Sequence, residues 1–114
     1  MMKSKIHRAI VTGADLDYVG SITIHKDLMD RADLREFEQV SIYNLDNGAR
    51  LQTYVIAGAN SQICINGAAA HLVSPGDKII IVSYADYEDN ELENFVPLIV
   101  HVDENNKITS KKAL

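Results

Sequence analysis

One cysteine, no basic excess and no long apolar run set the first limits on this chain of 114 residues. The lone Cys64, between Ile63 and Ile65, has no disulfide partner and cannot build a zinc site. It reads as a small buried side chain in a reducing compartment. A net charge of −5 argues against the concentrated basic surface that nucleic acid requires. The longest aliphatic stretches, 79–82 and 96–102 (the latter broken by Pro97 and His101), are too short to span a bilayer. The opening residues hold no apolar segment of signal-peptide length, so the expectation is a soluble cytoplasmic protein without membrane or nucleic-acid partners. No G-x-G-x-x-G, P-loop, H-E-x-x-H or G-x-S-x-G occurs. The four histidines, His7, His25, His71 and His101, lack metal-ligand spacing, so no metal is expected.

The chain fits one domain, with no room for a separate cofactor-binding unit. Its hydrophobic fraction of 46% suits a folded globule. Strand patterns dominate. The β-rich runs 40–45 and 51–56 flank Asp46-Asn47-Gly48, where Asn-Gly supplies the positive φ angles of a tight hairpin turn. Lys78–Tyr84 is mostly apolar and reads as a strand buried on both faces. Residues 98–102, 6–11 and 21–24 supply further strands. Helix patterns are brief, at 26–32 and 68–72. The acidic run 86–93 reads as a solvated loop, and the polar tail 105–114 as frayed.

One internal echo stands out. Leu34-x-x-Phe37-Glu38-x-Val40-x-Ile42 recurs as Val73-x-x-Gly76-Asp77-x-Ile79-x-Ile81. Two copies are too few for a solenoid but suit a barrel with two related halves. Closure also removes exposed strand edges. The expected fold is mainly β, a small barrel with short helices.

Gly20-Ser21 is the one Gly-Ser pair in the chain. Alone, such a dipeptide means only a turn. Its neighbours give it weight: Lys5-Ile6-His7-Arg8, Val11-Thr12, then Ala14-Asp15-Leu16-x-Tyr18-x-Gly20-Ser21. Further along come Asn47-Gly48-x-Arg50, Thr53-Tyr54, Ile65-Asn66-Gly67-Ala68-Ala69-Ala70-His71 and Gly76-Asp77. Over roughly residues 5–84 the sequence resembles the proenzymes of the pyruvoyl-dependent aspartate 1-decarboxylases.

The resemblance implies a double-psi β-barrel and a homotetramer with active sites between subunits. It implies self-cleavage at Gly20-Ser21 into chains 1–20 and 21–114, Ser21 becoming a covalent pyruvoyl group. That group would form a Schiff base with L-aspartate, releasing CO2 and then β-alanine for pantothenate synthesis. Chemically, Ser21 Oγ can attack the Gly20 carbonyl, and a glycine there tolerates a strained turn. By resemblance, Thr53 contacts the Gly20 carbonyl oxygen and the substrate, and Arg50 holds a substrate carboxylate with its planar fork. Tyr54 is the proton donor by the same token, and Gly67, Ala68 and Ala69 wall the pocket. Asn66 hydrogen-bonds near the pyruvoyl group, Lys5 and His7 add positive charge, and Tyr18 flanks the cleavage point. A maturation factor assists some relatives.

Arg50 and Tyr54 share parity along a strand, whereas Thr53 has the opposite parity. Either the strand is irregular there, or Thr53 reaches the cleavage site from another side. Val19 stands where the family often has an acid, and Tyr43 where it often has tryptophan. Composition and strand pattern fit equally a non-catalytic β-barrel binding module that never cleaves itself; the Gly20-Ser21, Arg50 and Tyr54 constellation separates the two. Pyruvoyl enzymes for other amino acids are longer and surround the serine differently.

Overall fold

The computed structural model describes residues 1–17 and 20–109. Eight strands dominate: β1 (Met2–Ile10), β2 (Gly13–Asp15), β3 (Ser21–His25), β4 (Gln39–Asn44), β5 (Arg50–Gly58), β6 (Ile63–Asn66), β7 (Lys78–Tyr84) and β8 (Leu98–His101). One short helix, α1 (Lys26–Arg31), follows β3, and 3-10 turns cover Gly67–Leu72 and Asp89–Leu92. The strands hydrogen-bond in the order β2-β6-β3-β5-β4-β7-β1-β8. The pairs β1/β8, β2/β6 and β3/β5 are parallel, and the other four are antiparallel. The protein is therefore mainly β, and this mixed sheet is consistent with the small β-barrel expected. Its interior is aliphatic, built from Ile6, Ile22, Ile24, Ile42, Val55, Ile63, Ile65, Ile79 and Ile81 with Leu28 and Met29 of α1.

The hairpin β4/β5 forms, but over the five residues 45–49 rather than a two-residue turn, with Gly48 at φ +76°. β2 and β6 are additions to the strands read from the sequence. The acidic run is largely exposed, yet it contains the turn Asp89–Leu92, whose start Glu88 and Glu91 close with a reciprocal capping box.

The sequence echo is a structural repeat. Phe37 and Gly76 occupy equivalent places, and both have left-handed backbones, φ 70° and 93°. Phe37 N–H donates to Val55 O (2.6 Å) and Val55 N–H to Glu38 O (3.0 Å). In the second copy Gly76 N–H donates to Val11 O (2.7 Å) and Val11 N–H to Asp77 O (2.9 Å). The acids match as well: Glu38 Oε1 accepts from Arg35 N–H (3.0 Å) and Asp77 Oδ2 from Ser74 N–H (2.9 Å). Each acid then reaches the other half. Glu38 accepts from Ser83 Oγ on β7, and Asp77 from Asn44 Nδ2 (2.9 Å) on β4. Each turn thus grips a strand of the other half, β7 in one case and β4 in the other.

Burial pushes the Glu38 carboxyl up, but hydrogen bonds from Ser83, the Arg35 N–H and Lys3 outweigh it and hold it below the ordinary value of 4.5. A depressed folded value means that this stabilisation is present above the unfolded value and is lost as pH falls through the folded one. Glu38→Gln is expected to lower stability near pH 7 by about 1–2 kcal/mol. Urea denaturation should show the gap to the wild type closing as pH falls through and below the ordinary carboxylate range; an equal gap at neutral and acidic pH refutes an ionised clasp.

The expectation of a frayed tail from residue 105 is corrected as far as Thr109. Asn106 is 1% exposed. Its side-chain amide imitates a neighbouring backbone: Oδ1 accepts from Ile10 N–H (2.7 Å), and Nδ2 donates to Ile10 O (2.8 Å) and Ser61 O (3.2 Å). Val102 and Ile108 form a β-bridge. Residues 110–114 lie outside those described.

Candidate active site

Ser21 opens β3 and pairs directly with Asn66, the last residue of β6. Along these antiparallel strands Ile22, Ile24, Ile63 and Ile65 enter the core. Period-two alternation therefore sends Ser21, Thr23, Cys64 and Asn66 to the opposite face. Ser21 is nonetheless only 1% exposed and Asn66 4%, so their polar groups must be satisfied within the protein. They are. Asn66 Nδ2 donates to Ser21 Oγ (2.9 Å) and Thr23 Oγ1 (3.0 Å), while Asn66 Oδ1 accepts from Cys64 Sγ (3.3 Å). Burial raises the Cys64 thiol above its ordinary value, and the Asp15 carboxylate pushes the same way; the thiol is a protonated donor at neutral pH.

Gly20 lies just before Ser21 and is half-buried. A Cβ there would meet only Asn66 O, at 4.0 Å. The side of Gly20 that a Cβ would occupy is thus open. Gly67, after Asn66, takes a left-handed backbone, φ 70°, which a residue without Cβ adopts at little cost. It turns the chain from β6 into Gly67–Leu72, where Ala68 is exposed and Ala69 packs on the core.

β5 runs parallel to β3 with Ile22 opposite Val55. One step back along both strands brings Ser21 level with Tyr54. Ile22 and Val55 both face the core, so Ser21 and Tyr54 share the other face. Thr53 has the parity of Leu51 and Val55, which pack on the core. The β4/β5 register runs unbroken from Gln39–Tyr54 to Tyr43–Arg50, which removes strand irregularity as an explanation. Among the described residues Thr53 makes no hydrogen bond to Gly20 or Ser21.

Arg50, on the Tyr54 face, is exposed, with its guanidinium 4.0 Å from the centre of the Tyr43 ring. The aromatic residue that replaces the expected tryptophan therefore still stacks on the cation. Tyr43 Oη and Tyr84 Oη share a hydrogen bond of 2.8 Å, which holds the Tyr43 phenol below its ordinary value.

Lys5 and His7 sit apart from Ser21 in the strand order. They lie on β1, four places along the strand order from β3, where Lys5 pairs with Val82 and Ile99, and His7 packs edge-on to His101 at 5.5 Å. Tyr18 and Val19 lie outside the described residues. Thr23 and Cys64 were missed in the sequence, although each sits two residues from a candidate along a strand, a parity that would have found them. Among the described residues no group of three His, Cys, Asp or Glu side chains could hold a metal ion, and no helix is long and apolar enough to cross a membrane.

The chain matches the family model described as aspartate decarboxylase over residues 1–109. A protein named aspartate 1-decarboxylase from Acetivibrio thermocellus is 56% identical over 115 positions, covering 99% of this chain and 91% of that one. Proteins of the same name from Thermoanaerobacter pseudethanolicus and Clostridium botulinum are 58% and 56% identical, covering 94% and 95% of this chain and 93% and 87% of theirs. The likeness read between residues 5 and 84 thus extends through the tail clasp at Asn106, and with more than half the residues shared over nearly the whole length the chain belongs to the aspartate decarboxylase family.

Proposed function

We propose that this chain decarboxylates L-aspartate to β-alanine and CO2, supplying β-alanine for pantothenate synthesis, with a pyruvoyl group made from its own Ser21. The observation that carries the reading is a buried serine hydroxyl, held at a strand start by Asn66 Nδ2 and joined directly to Gly20. The residues present fit the group. It keeps the Cα and Cβ of Ser21, needs no cavity beyond the serine's own, and has the Asn66 side-chain amide beside it. When formed, its ketone supplies an electrophile for the substrate amine and an electron sink for loss of the carboxylate.

The chain's own groups do the rest. Asn66 orients the reacting atoms of residue 21, and the Tyr54 phenol is the proton donor on the same face. Arg50 offers a planar fork for a carboxylate, its plane set by Tyr43. Gly67, Ala68 and Ala69 keep the pocket wall low. Thr53 acts on the Gly20 carbonyl from the core side of β5 once the cut begins. Lys5 and His7 complete the positive surroundings from another subunit: their separation from Ser21 in the strand order and the exposure of Arg50 favour a double-psi barrel assembled as a homotetramer with sites between chains.

Intact mass under denaturing conditions tests the reading. The expected result is two chains, 1–20 and a blocked chain beginning at residue 21. A single full-length chain after prolonged warming with a maturation factor supplied overturns it, and a free Ser21 amino terminus means ordinary proteolysis.

A further inference from the structure

We infer that Cys64 is a positioning residue for self-cleavage: its thiol locks the Asn66 side-chain amide so that the N–H end, not the oxygen, faces Ser21 Oγ. The inference rests on the reading of Ser21 as the residue that cuts the chain. The two hydroxyls at Nδ2, Ser21 and Thr23, can each donate or accept, so by themselves they would serve either orientation of the amide. The contact that breaks the tie is at the other end. A protonated thiol donates to Oδ1 at 3.3 Å; turned over, the amide would set an N–H against sulfur, a weak acceptor.

The selected orientation acts differently on the two steps of the cut. In the first, Ser21 Oγ bonds to the Gly20 carbonyl carbon and the Gly20–Ser21 C–N bond breaks. The hydroxyl proton ends on the released Ser21 amine, and an ester results. An N–H on Oγ gives this step no base. In the second, the Ser21 Cα proton passes to solvent and the Cβ–Oγ bond breaks, its electron pair staying on Oγ. That atom becomes a carboxylate oxygen of Gly20, and residue 21 becomes dehydroalanine, which water converts to the ketone with release of ammonia. Here the donor already in place meets the growing negative charge. Cys64 therefore acts through Asn66 on the elimination, not on the acyl shift.

Freshly translated chain, incubated and quenched at intervals, separates the steps by denaturing mass with and without hydroxylamine. Hydroxylamine splits the ester into a 1–20 hydroxamate and a chain with a free Ser21 terminus. Cys64→Ala is expected to accumulate the hydroxylamine-sensitive form and to yield the blocked chain about tenfold more slowly, a fraction of what direct loss of an oxyanion donor costs. Cys64→Ser, which keeps a donor, should restore the wild-type course. Cys64→Val, which fills the space without a donor, should behave as alanine and guards against an unfolded alanine variant. Blocked chain at the wild-type rate in Cys64→Val, or slower cleavage without ester, overturns the inference. A wild-type chain that never cuts overturns the reading of Ser21 itself, a separate result.

Discussion

Ser21→Ala is expected to remain one full-length chain with no decarboxylase activity, while the wild type separates into two. The alanine keeps Cα and Cβ, so the pairing with Asn66 and the Ile22 and Ile24 contacts survive. What disappears is the one oxygen able to reach the Gly20 carbonyl from the next residue. Asn66 Nδ2 loses one acceptor and keeps Thr23 Oγ1, which costs about 1–3 kcal/mol for a buried unsatisfied donor. The variant should therefore fold with a lowered melting temperature. It also discriminates between self-cleavage and a contaminating protease, because a protease that enters by the exposed residues 14–17 has no need of a hydroxyl at residue 21. Two chains from Ser21→Ala would end the proposal; one chain that retains full activity would place the electrophile elsewhere.

Much of this was legible in the sequence because the signals were local. The hairpin around Gly48, the apolar strand Lys78–Tyr84 and the short helix after His25 come from alternation and turn residues within a few positions. The echo of 34–42 in 73–81 foretold the paired clasps, since a turn and an acid before a strand recur for one physical reason, an exposed turn N–H that needs an acceptor. Phe37 hid its left-handed backbone, because a bulky residue rarely takes that conformation and only its equivalence to Gly76 gives it away. β2 spans three residues, too few for any period, and β6 was seen only as the apolar setting of Cys64. Without β6 as a strand, the meeting of Ser21 with Asn66, and of Thr23 with Cys64, could not be read: it is a long-range pairing set by strand order. The polar tail misled for a related reason, since the single side chain of Asn106 takes the place of a strand edge. Lys5 and His7 came from resemblance alone, and they lie four places from Ser21 in the strand order.

Tyr54→Phe should process itself normally yet turn over aspartate about 10² to 10⁴-fold more slowly, the range for losing a positioned proton donor. Under the proposal processing draws on Ser21, Thr53, Asn66 and Cys64, all of which the variant keeps, and phenylalanine preserves the ring that fills the half-buried place of Tyr54. The register of β3 with β5 sets Tyr54 level with Ser21 on the same face, close to where the substrate carbon must sit. Once CO2 has left, that carbon has to receive a proton before β-alanine can be released. A phenol on the adjacent strand can deliver it without reorganisation, while bulk water must first enter the pocket proposed to be walled by Gly67, Ala68 and Ala69. The measurement is single turnover on fully processed Tyr54→Phe, following CO2 and β-alanine separately, with intact mass checking the processing. Both products at the wild-type rate would reduce Tyr54 to a packing residue. Slow cleavage of the chain with normal turnover thereafter would move its role to the Gly20–Ser21 bond, because the phenol would then be serving Ser21 itself rather than the substrate carbon.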